Sequence, residues 1–255
     1  MLSVRKRQGK FLHRRRRAHI FLSASSRFTD MVNKTFCCTD FSTLIRSRMR
    51  ELKPYCSHVS LREGEVVYRM DEPANALFQI EKGRAKVVRI SEKGQEKIVG
   101  FYSAGDIFGE FCVCDLIRRH DQAVAVEALE LTAVHVSGLL KLIGQKPEFS
   151  QEFLRLICAR LSDCQEQVTT LSFDTTARRL AKELMKLGAA GEGSDGERVT
   201  TGLTHEDLAN LIGTTREIVT ALMNQFRERG LIEYSRRKIV VFPKQVANYL
   251  DQKAR

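Results

Sequence analysis

Four polar side chains near the start of one predicted helix have the chemistry needed to contact the edges of DNA base pairs: Arg216, Glu217, Thr220 and Asn224. An arginine donates to guanine O6 and N7, and a glutamate accepts from cytosine N4. At helical spacing these side chains lie opposite an apolar stripe of Val219, Leu222 and Phe226. The pattern predicts a helix whose N-terminal end enters a major groove.

The preceding residues predict a first helix and a tight turn that hold this helix. Thr204 is a candidate N-cap, and Asp207 follows three residues later, as in a capping box. Gly213 suits the turn, since a left-handed conformation costs glycine little. Thr214 and Thr215 are candidate caps of the second helix. The first helix has an apolar face of Leu208, Leu211 and Ile212.

After Gly230 the period changes, and two apolar runs flank a basic tip. This predicts a β-hairpin wing whose basic residues contact phosphates. A structural helical hairpin with a solvated loop is the alternative, but the caps, glycine turn, polar face and basic wing together favour DNA contact. The predicted contacts are Thr204, Thr215, Arg216, Glu217, Thr220, Asn224, Arg236, Arg237 and Lys238.

The charge of the chain is concentrated at its start. Residues 1–30 hold nine basic residues and one acid, which is +8 of the net +11 over 255 residues. We interpret residues 1–35 as a disordered basic tail or a start placed too early, ahead of Met31; a transit peptide and a twin-arginine signal are the alternatives. No apolar run approaches the length of a membrane span. The seven cysteines, without a secretory signal, indicate reduced thiols in a cytosol.

The rest of the chain divides into a strand-rich part and a helical part. Residues 58–137 show short strands with turn signals about every ten residues, which predicts an antiparallel sandwich or barrel. Short helices are expected at 36–55 and 139–147, a long helix at 148–172, a helix at 177–187 and a flexible loop at 188–200. In the long helix an apolar seam is spaced 4, 3, 4, 3, as in a two-stranded coiled coil, although packing on its own barrel is an alternative. The seam is Ile157, Leu161, Cys164, Val168 and Leu171.

Together these features resemble the Crp/Fnr family of bacterial transcription regulators. The resemblance rests on the helix-turn-helix and on residues 61–65, 71–74, 77–83, 105–110 and 177–181. It implies an α+β fold: an antiparallel, jelly-roll-like β-roll sensor domain (36–147), a long dimerisation helix (148–173) and a winged helix-turn-helix (174–255). It also implies a cytoplasmic homodimer that binds a palindromic DNA site, contacts RNA polymerase and is not an enzyme or a membrane protein.

The effector pocket departs from the cyclic AMP pattern of that family. Gly109-Glu110 keeps the start of the phosphate cassette, but Gln122-Ala123 stands where an arginine and a hydroxyl residue are usual. This disfavours cyclic AMP, because a buried phosphate needs a cation; a different effector, or none, is favoured. The cassette is two residues longer than usual, and one of Arg118, Arg119 and His120 in the lengthened segment is a candidate substitute, although not from the usual backbone position. The predicted pocket residues are Gly109, Glu110, Phe111, Cys112, Arg118, Arg119, Gln122, Ala123, Asp163 and Cys164.

Redox and metal alternatives rest on fewer residues. If Cys112 and Cys114 lie on a strand, both thiols face the pocket and can sense redox state, although packing in the barrel is the favoured interpretation. The adjacent Cys37-Cys38 lacks the spacing of the family's iron–sulfur ligands, and no zinc spacing occurs. Candidate haem ligands are His58, His120 and His135, although an ordinary histidine is the favoured interpretation for each.

Two further expectations concern the DNA sequence preference of the chain and its alternative function. Ala221 stands where the family often has a second base-reading arginine, which predicts an altered or relaxed preference at one base pair. The alternative function is an effector-sensing or redox-sensing module that acts through a protein partner.

Overall fold

Short antiparallel strands, each ended by a turn, build the first half of the molecule. The computed structural model describes residues 36–114, 118–190, 197–235 and 238–252. In the described residues before 136, two four-stranded sheets have the orders β1-β8-β3-β6 and β2-β7-β4-β5. The strands are β1 (Cys56–Leu61), β2 (Val66–Tyr68), β3 (Ala76–Lys82), β4 (Arg84–Ile90), β5 (Glu96–Ser103), β6 (Ile107–Phe108), β7 (Gln122–Ala125) and β8 (Leu129–His135).

The two sheets face each other across one apolar core. Phe78 and Leu131 from the first sheet and Val87 from the second are buried together. A glycine is required at one tight connection, because Gly83 has φ +84° and a Cβ there would lie 2.1 Å from the Ala128 carbonyl oxygen. The arrangement confirms the predicted β-roll.

Helices flank the β-roll and lead away from it. The short helical elements before and after the strands are α1 (Phe36–Ser47), α2 (Met49–Leu52), a 3-10 turn (Lys53–Tyr55) and α3 (Val136–Gln145). The long helix α4 (Pro147–Phe173) has 27 residues. Its first turns pack on α1, where the rings of Phe41 and Phe149 lie 5.0 Å apart. In the described part of the chain, no helix is both long and apolar enough to cross a bilayer.

The last third of the chain is a small helical unit with its own sheet. Its elements are α5 (Thr176–Leu187), β9 (Ala189–Ala190), β10 (Arg198–Thr201), α6 (His205–Ile212), α7 (Arg216–Glu228), β11 (Ile232–Ser235), β12 (Lys238–Val241) and α8 (Pro243–Gln252). The predicted wing is present as β11 and β12, which pair from Ile232↔Val241 to Ser235↔Lys238. The expected flexible loop at 188–200 is wrong at both ends: β10 pairs with β12 and with β9.

The apolar stripe of α7 differs by one position from the prediction. Val219, Met223 and Phe226 are buried, while Leu222 is only partly buried. The difference arises because α7 packs against both α6 and β11, which widens the buried face beyond a single stripe.

The helical unit is docked on the β-roll by polar contacts to β4 and β5. Lys86 Nζ lies 2.6 Å from Asp207 Oδ1. Arg84 Nη1 donates to Thr200 Oγ1 at 2.7 Å, and Lys97 Nζ donates to the Leu211 carbonyl. The first helix of the helix-turn-helix is therefore tied directly to the sheet of the β-roll that contains β4 and β5.

Candidate nucleic-acid interface and effector cavity

Side-chain caps and one glycine fix the turn between α6 and α7. Thr204 Oγ1 accepts from the Asp207 amide at 3.0 Å, and Asp207 Oδ2 accepts from the Thr204 amide at 3.1 Å, which completes the predicted capping box. Gly213 ends α6 with φ +69°. At α7 the N-cap is Thr215, whose hydroxyl accepts from the Ile218 amide.

The first turn of α7 presents charged groups to solvent. Arg216, Glu217 and Ala221 are exposed. Hydrogen bonds from its own backbone amide and from the Thr215 hydroxyl lower the pKa of Glu217, so this side chain is an anion and a hydrogen-bond acceptor at neutral pH. These are the properties that a contact with a cytosine amine requires.

The other two predicted contacts of this face, Thr220 and Asn224, are half-buried and already hydrogen-bonded. His205 Nδ1 lies 2.9 Å from Thr220 Oγ1. Burial and the nearby positive charge of Arg216 lower the pKa of His205. Tyr234 donates from its hydroxyl to Asn224 Oδ1 at 2.7 Å. Sequence reasoning missed both partners, because they come from α6 and β11 and share no local pattern with α7.

The wing begins next to this face. Lys238 is exposed at the start of β12. The tip residues Arg236 and Arg237 lie outside the described residues. The predicted phosphate contacts at the tip thus remain predictions.

A cavity of about 400 Å³ lies between the β-roll, the long helix and α5. Five of the ten predicted pocket residues line it: Gly109, Glu110, Phe111, Asp163 and Cys164. Gly109 has φ +81° and leads into a 3-10 helix, Glu110–Val113, which aims the carboxylate of Glu110 at the long helix.

The two arginines expected to supply positive charge to this cavity do not line it. Arg119 is buried, donates to the carbonyls of Gly109 and Ala76, and stacks 4.2 Å from the centre of the Tyr68 ring. Arg118 Nη1 donates to the Asp71 carbonyl at 2.7 Å. The prediction is therefore corrected: carbonyl groups of neighbouring turns, which sequence patterns do not locate, attract both guanidinium groups.

Three other pocket predictions are also corrected. Gln122 and Ala123 lie on β7 and do not line the cavity; Ala123 is fully buried between β2 and β4. The strand assumed for Cys112 and Cys114 is a 3-10 helix, so the two thiols do not face one side. Cys112 is buried and Cys114 exposed. Burial raises the pKa of Cys112 to about 11, which makes it a poor nucleophile.

A residue that sequence reasoning missed dominates the cavity wall. Arg160 of α4 forms an ion pair with Glu110 at 3.2 Å and lies 4.8 Å above the Tyr102 ring. It also donates to the Ile107 carbonyl at 2.6 Å. One sequence feature could have indicated that Arg160 lines the cavity. It precedes the predicted pocket residue Cys164 by four residues and so shares its helical face.

The histidines proposed as haem ligands are dispersed. His58 lies beside Thr132, and His135 caps α3 through Ser137. Within the described ranges, no group of three His, Cys, Asp or Glu side chains could hold a metal ion.

Two family models match this chain. One, described as a cyclic nucleotide-binding domain, matches residues 58–146. The other, described as a Crp-like helix-turn-helix domain, matches residues 178–244. Together they span more than half of the chain, including the β-roll side of the cavity and the capped turn.

Curated relatives and solved structures agree with these matches. The chain is 28% identical over 199 residues to a CRP-like cAMP-activated global transcriptional regulator of Mycobacterium tuberculosis, covering 77% of this chain and 87% of that protein. It is 29% identical over 170 residues to the cyclic AMP receptor protein of Thermus thermophilus, covering 67% and 76%. The structure of FixK2 from Bradyrhizobium japonicum aligns with a TM-score of 0.68 at 21% identity, covering 76% of this chain and 96% of that chain, which shows the shared fold.

Proposed function

The chain belongs to the Crp/Fnr family of transcription regulators, and from that premise we propose that it binds a palindromic DNA site as a dimeric switch. It is a helix-turn-helix DNA-binding regulator, from a family that is not enzymatic. The observation that carries the proposal is the capped α7, which presents Arg216 and Glu217 to solvent beside the wing.

The contacts with DNA divide into base readout and phosphate binding. We assign Arg216 to a guanine and Glu217 to a cytosine amine, because their groups match those base edges. Ala221 is exposed but carries no polar group, so the base pair that it faces is read loosely. Phosphate contacts are assigned to residues at the helix starts, on the same side of α7 and in the wing: Thr204, Thr215, Thr220, Arg236, Arg237 and Lys238.

The long helix supplies the proposed dimer contact. Along its seam Leu161 is 59% exposed, Val168 is 65% exposed and Leu171 is 50% exposed. Such large exposed apolar side chains at a and d spacing fit a second copy of the same helix. A dimer then presents two copies of α7 to two half-sites of a palindrome.

The cavity supports an effector other than cyclic AMP, or none. The named relatives include cAMP-activated proteins. In this chain, however, the carboxylate of Glu110 is paired with Arg160, and Gln122 and Ala123 bring no cation to the cavity. The lysines and the arginine of α4 that line the cavity are already paired within the protein: Arg160 with Glu110, Lys182 with Asp174 and Lys186 with Glu183. A cyclic phosphate placed beside Glu110 would therefore have to compete with these carboxylates for positive charge.

These assignments give each part of the chain a proposed role. We propose residues 36–147 as the sensor, 148–173 as the dimer helix, 174–255 as the DNA reader, and 1–35 as a basic tail outside the described residues. RNA polymerase is the proposed protein partner, as is typical of such regulators. The proposed site of action is the cytoplasm, where the chromosome of a bacterium lies.

The test is duplex binding by the full chain and two arginine variants. A preferred site is first selected from a random pool. We expect Arg216→Ala to weaken binding to that site by about 5- to 150-fold, because one bidentate guanine contact is lost. Arg89→Ala, an exposed arginine on β4, is the matched control and should bind as the wild type does.

Duplex binding is also measured at increasing salt concentration and with added cyclic AMP. Binding should weaken steeply as salt rises, because phosphate contacts release counterions. Equal losses for the two arginine variants, or no salt-dependent duplex binding, would refute DNA readout by α7. Tighter binding on addition of cyclic AMP would refute our interpretation of the cavity.

A further inference from the structure

The side-chain amide of Asn224 has its acceptor side occupied by the protein itself. Tyr234 donates from its hydroxyl to Asn224 Oδ1 at 2.7 Å, and Arg227 Nη2 donates to the same oxygen at 3.2 Å. A carbonyl oxygen has two lone pairs, so these two donors use its full capacity. Only the amide N–H groups of Asn224 are left to face DNA.

The orientation of this amide is fixed by the chemistry of its neighbours. A guanidinium only donates, so the atom that faces Arg227 has to be the oxygen and not the nitrogen of Asn224. The guanidinium of Arg227 also lies 5.2 Å above the ring of Tyr234. The three side chains therefore form one cluster that joins α7 to the first strand of the wing.

Asn224 shares the DNA-facing side of α7 with Glu217. Seven residues separate them, which at 3.6 residues per turn places the two side chains within roughly 20° around the helix axis. Asn224 is half-buried, because its acceptor side is turned toward the wing. Its donor side is the part that a groove can meet.

We propose that Asn224 contacts the duplex only as a hydrogen-bond donor, and that Tyr234 is the positioning residue that prevents it from reading adenine. An asparagine that reads adenine needs both its atoms, since the oxygen accepts from N6 and the nitrogen donates to N7. A donor-only amide instead suits an acceptor: guanine N7 or O6, thymine O4, or a phosphate oxygen. This inference rests on the proposed function, because it concerns the same DNA-reading helix.

The test removes the hydroxyl of Tyr234 and measures the change in base preference. Tyr234→Phe keeps the ring under Arg227 but frees one lone pair of Asn224 Oδ1 for a base. Duplexes are selected from a random pool by the wild type, by Tyr234→Phe and by Tyr55→Phe, a matched control outside the helical unit. We expect only Tyr234→Phe to gain a preference for adenine, of about tenfold, at one base pair in each half-site.

A second substitution shows whether the new preference comes from Asn224. Adding Asn224→Ala to Tyr234→Phe should abolish the gain. In the wild type, Asn224→Ala should remove no adenine preference at any position. The single variant Asn224→Ala leaves Tyr234 unchanged, so its result tests the inference even if Tyr234→Phe folds poorly.

Two probes distinguish the acceptors of the wild-type contact. If Asn224 donates to a phosphate, a methylphosphonate at that position weakens the wild type but not Asn224→Ala. If it donates to guanine N7, 7-deazaguanine has this effect instead. Either result supports a donor-only contact.

The failure of this inference differs from the failure of the proposed function. An adenine preference in the wild type that Asn224→Ala removes would overturn the inference, as would identical selections by the wild type and folded Tyr234→Phe. In both cases the chain would still be a DNA reader. Absence of salt-dependent duplex binding by the wild type would overturn the proposed function itself.

Discussion

The ion pair between Lys86 and Asp207 should couple the stability of the β-roll to that of the winged helix-turn-helix unit. Lys86 Nζ lies 2.6 Å from Asp207 Oδ1, and the two side chains are 22% and 13% exposed. Asp207 also accepts hydrogen bonds from the amide and the hydroxyl of Thr204. A single carboxylate thus serves both the capping box of α6 and the contact with the β-roll.

The expected coupling free energy of this half-buried pair lies between the values for exposed and for fully buried ion pairs. Exposed ion pairs contribute about 0–1 kcal/mol, whereas removal of one partner from a fully buried pair costs about 3–5 kcal/mol. In Lys86→Met, Asp207 keeps its hydrogen bonds from Thr204, so the carboxylate is not left without a partner. We therefore expect a coupling free energy of about 1–2 kcal/mol.

A double-mutant cycle measures this quantity. The free energy of unfolding is determined in urea for Lys86→Met, Asp207→Asn and the double variant. Lys82→Met is the control, because Lys82 lies 3.9 Å from Glu130 with a 76% exposed side chain, and its effect should be within about 0.5 kcal/mol of zero. A coupling below about 0.5 kcal/mol for the first pair would refute the reasoning.

The pH dependence gives a second readout of the same pair. Burial alone would raise the pKa of Asp207, but hydrogen bonds from Lys86 and Thr204 outweigh it and lower that pKa below the ordinary 3.8. The stabilisation is therefore fully present above pH 3.8 and is lost as the pH falls through the lowered pKa. In Lys86→Met the pKa of Asp207 should lie closer to 3.8, so the loss of stability should be smaller and should be complete at a higher pH.

Three further predictions follow from separate parts of the molecule. Val168→Glu on the exposed seam should shift the chain toward monomer in sedimentation, whereas Thr169→Glu beside the seam should not; equal behaviour would refute the dimer surface. Gly213→Ala should lower the free energy of unfolding by about 1–2 kcal/mol, because alanine is strained at φ +69°, and an unchanged value would contradict that strain. At pH 8, Cys112 should react with iodoacetamide about 100-fold more slowly than a thiol of pKa 9.0, since its pKa is raised to about 11. Cys158 is the exposed comparison in mass spectrometry, and equal labelling would show that Cys112 is not buried.

Local sequence chemistry predicted the DNA-reading element well. The capping box at Thr204, the left-handed Gly213 and the N-cap at Thr215 are all present. Each involves partners within four residues along the chain, so the sequence itself brings them together. The strands of the β-roll were predictable for a similar reason, because alternation and turn glycines are local signals.

The lining of the cavity beside Glu110 was predicted less well. The sequence placed Arg119 as a source of positive charge, but its guanidinium binds carbonyls 10 and 43 residues away along the chain. It gave no indication that Arg160 neutralises Glu110. In both cases the partner is chosen by which turns and helices pack together, and no short-range pattern encodes that choice.

By itself, then, the sequence determined the class of the molecule and the face of α7 that carries Arg216 and Glu217. Only the tertiary structure decided which side of the Asn224 amide is already hydrogen-bonded and which arginine pairs with Glu110. The reason is physical: a side chain's residue type fixes which hydrogen bonds it can make. Its packed neighbours, here Tyr234 and Arg160, fix which of those bonds are already used.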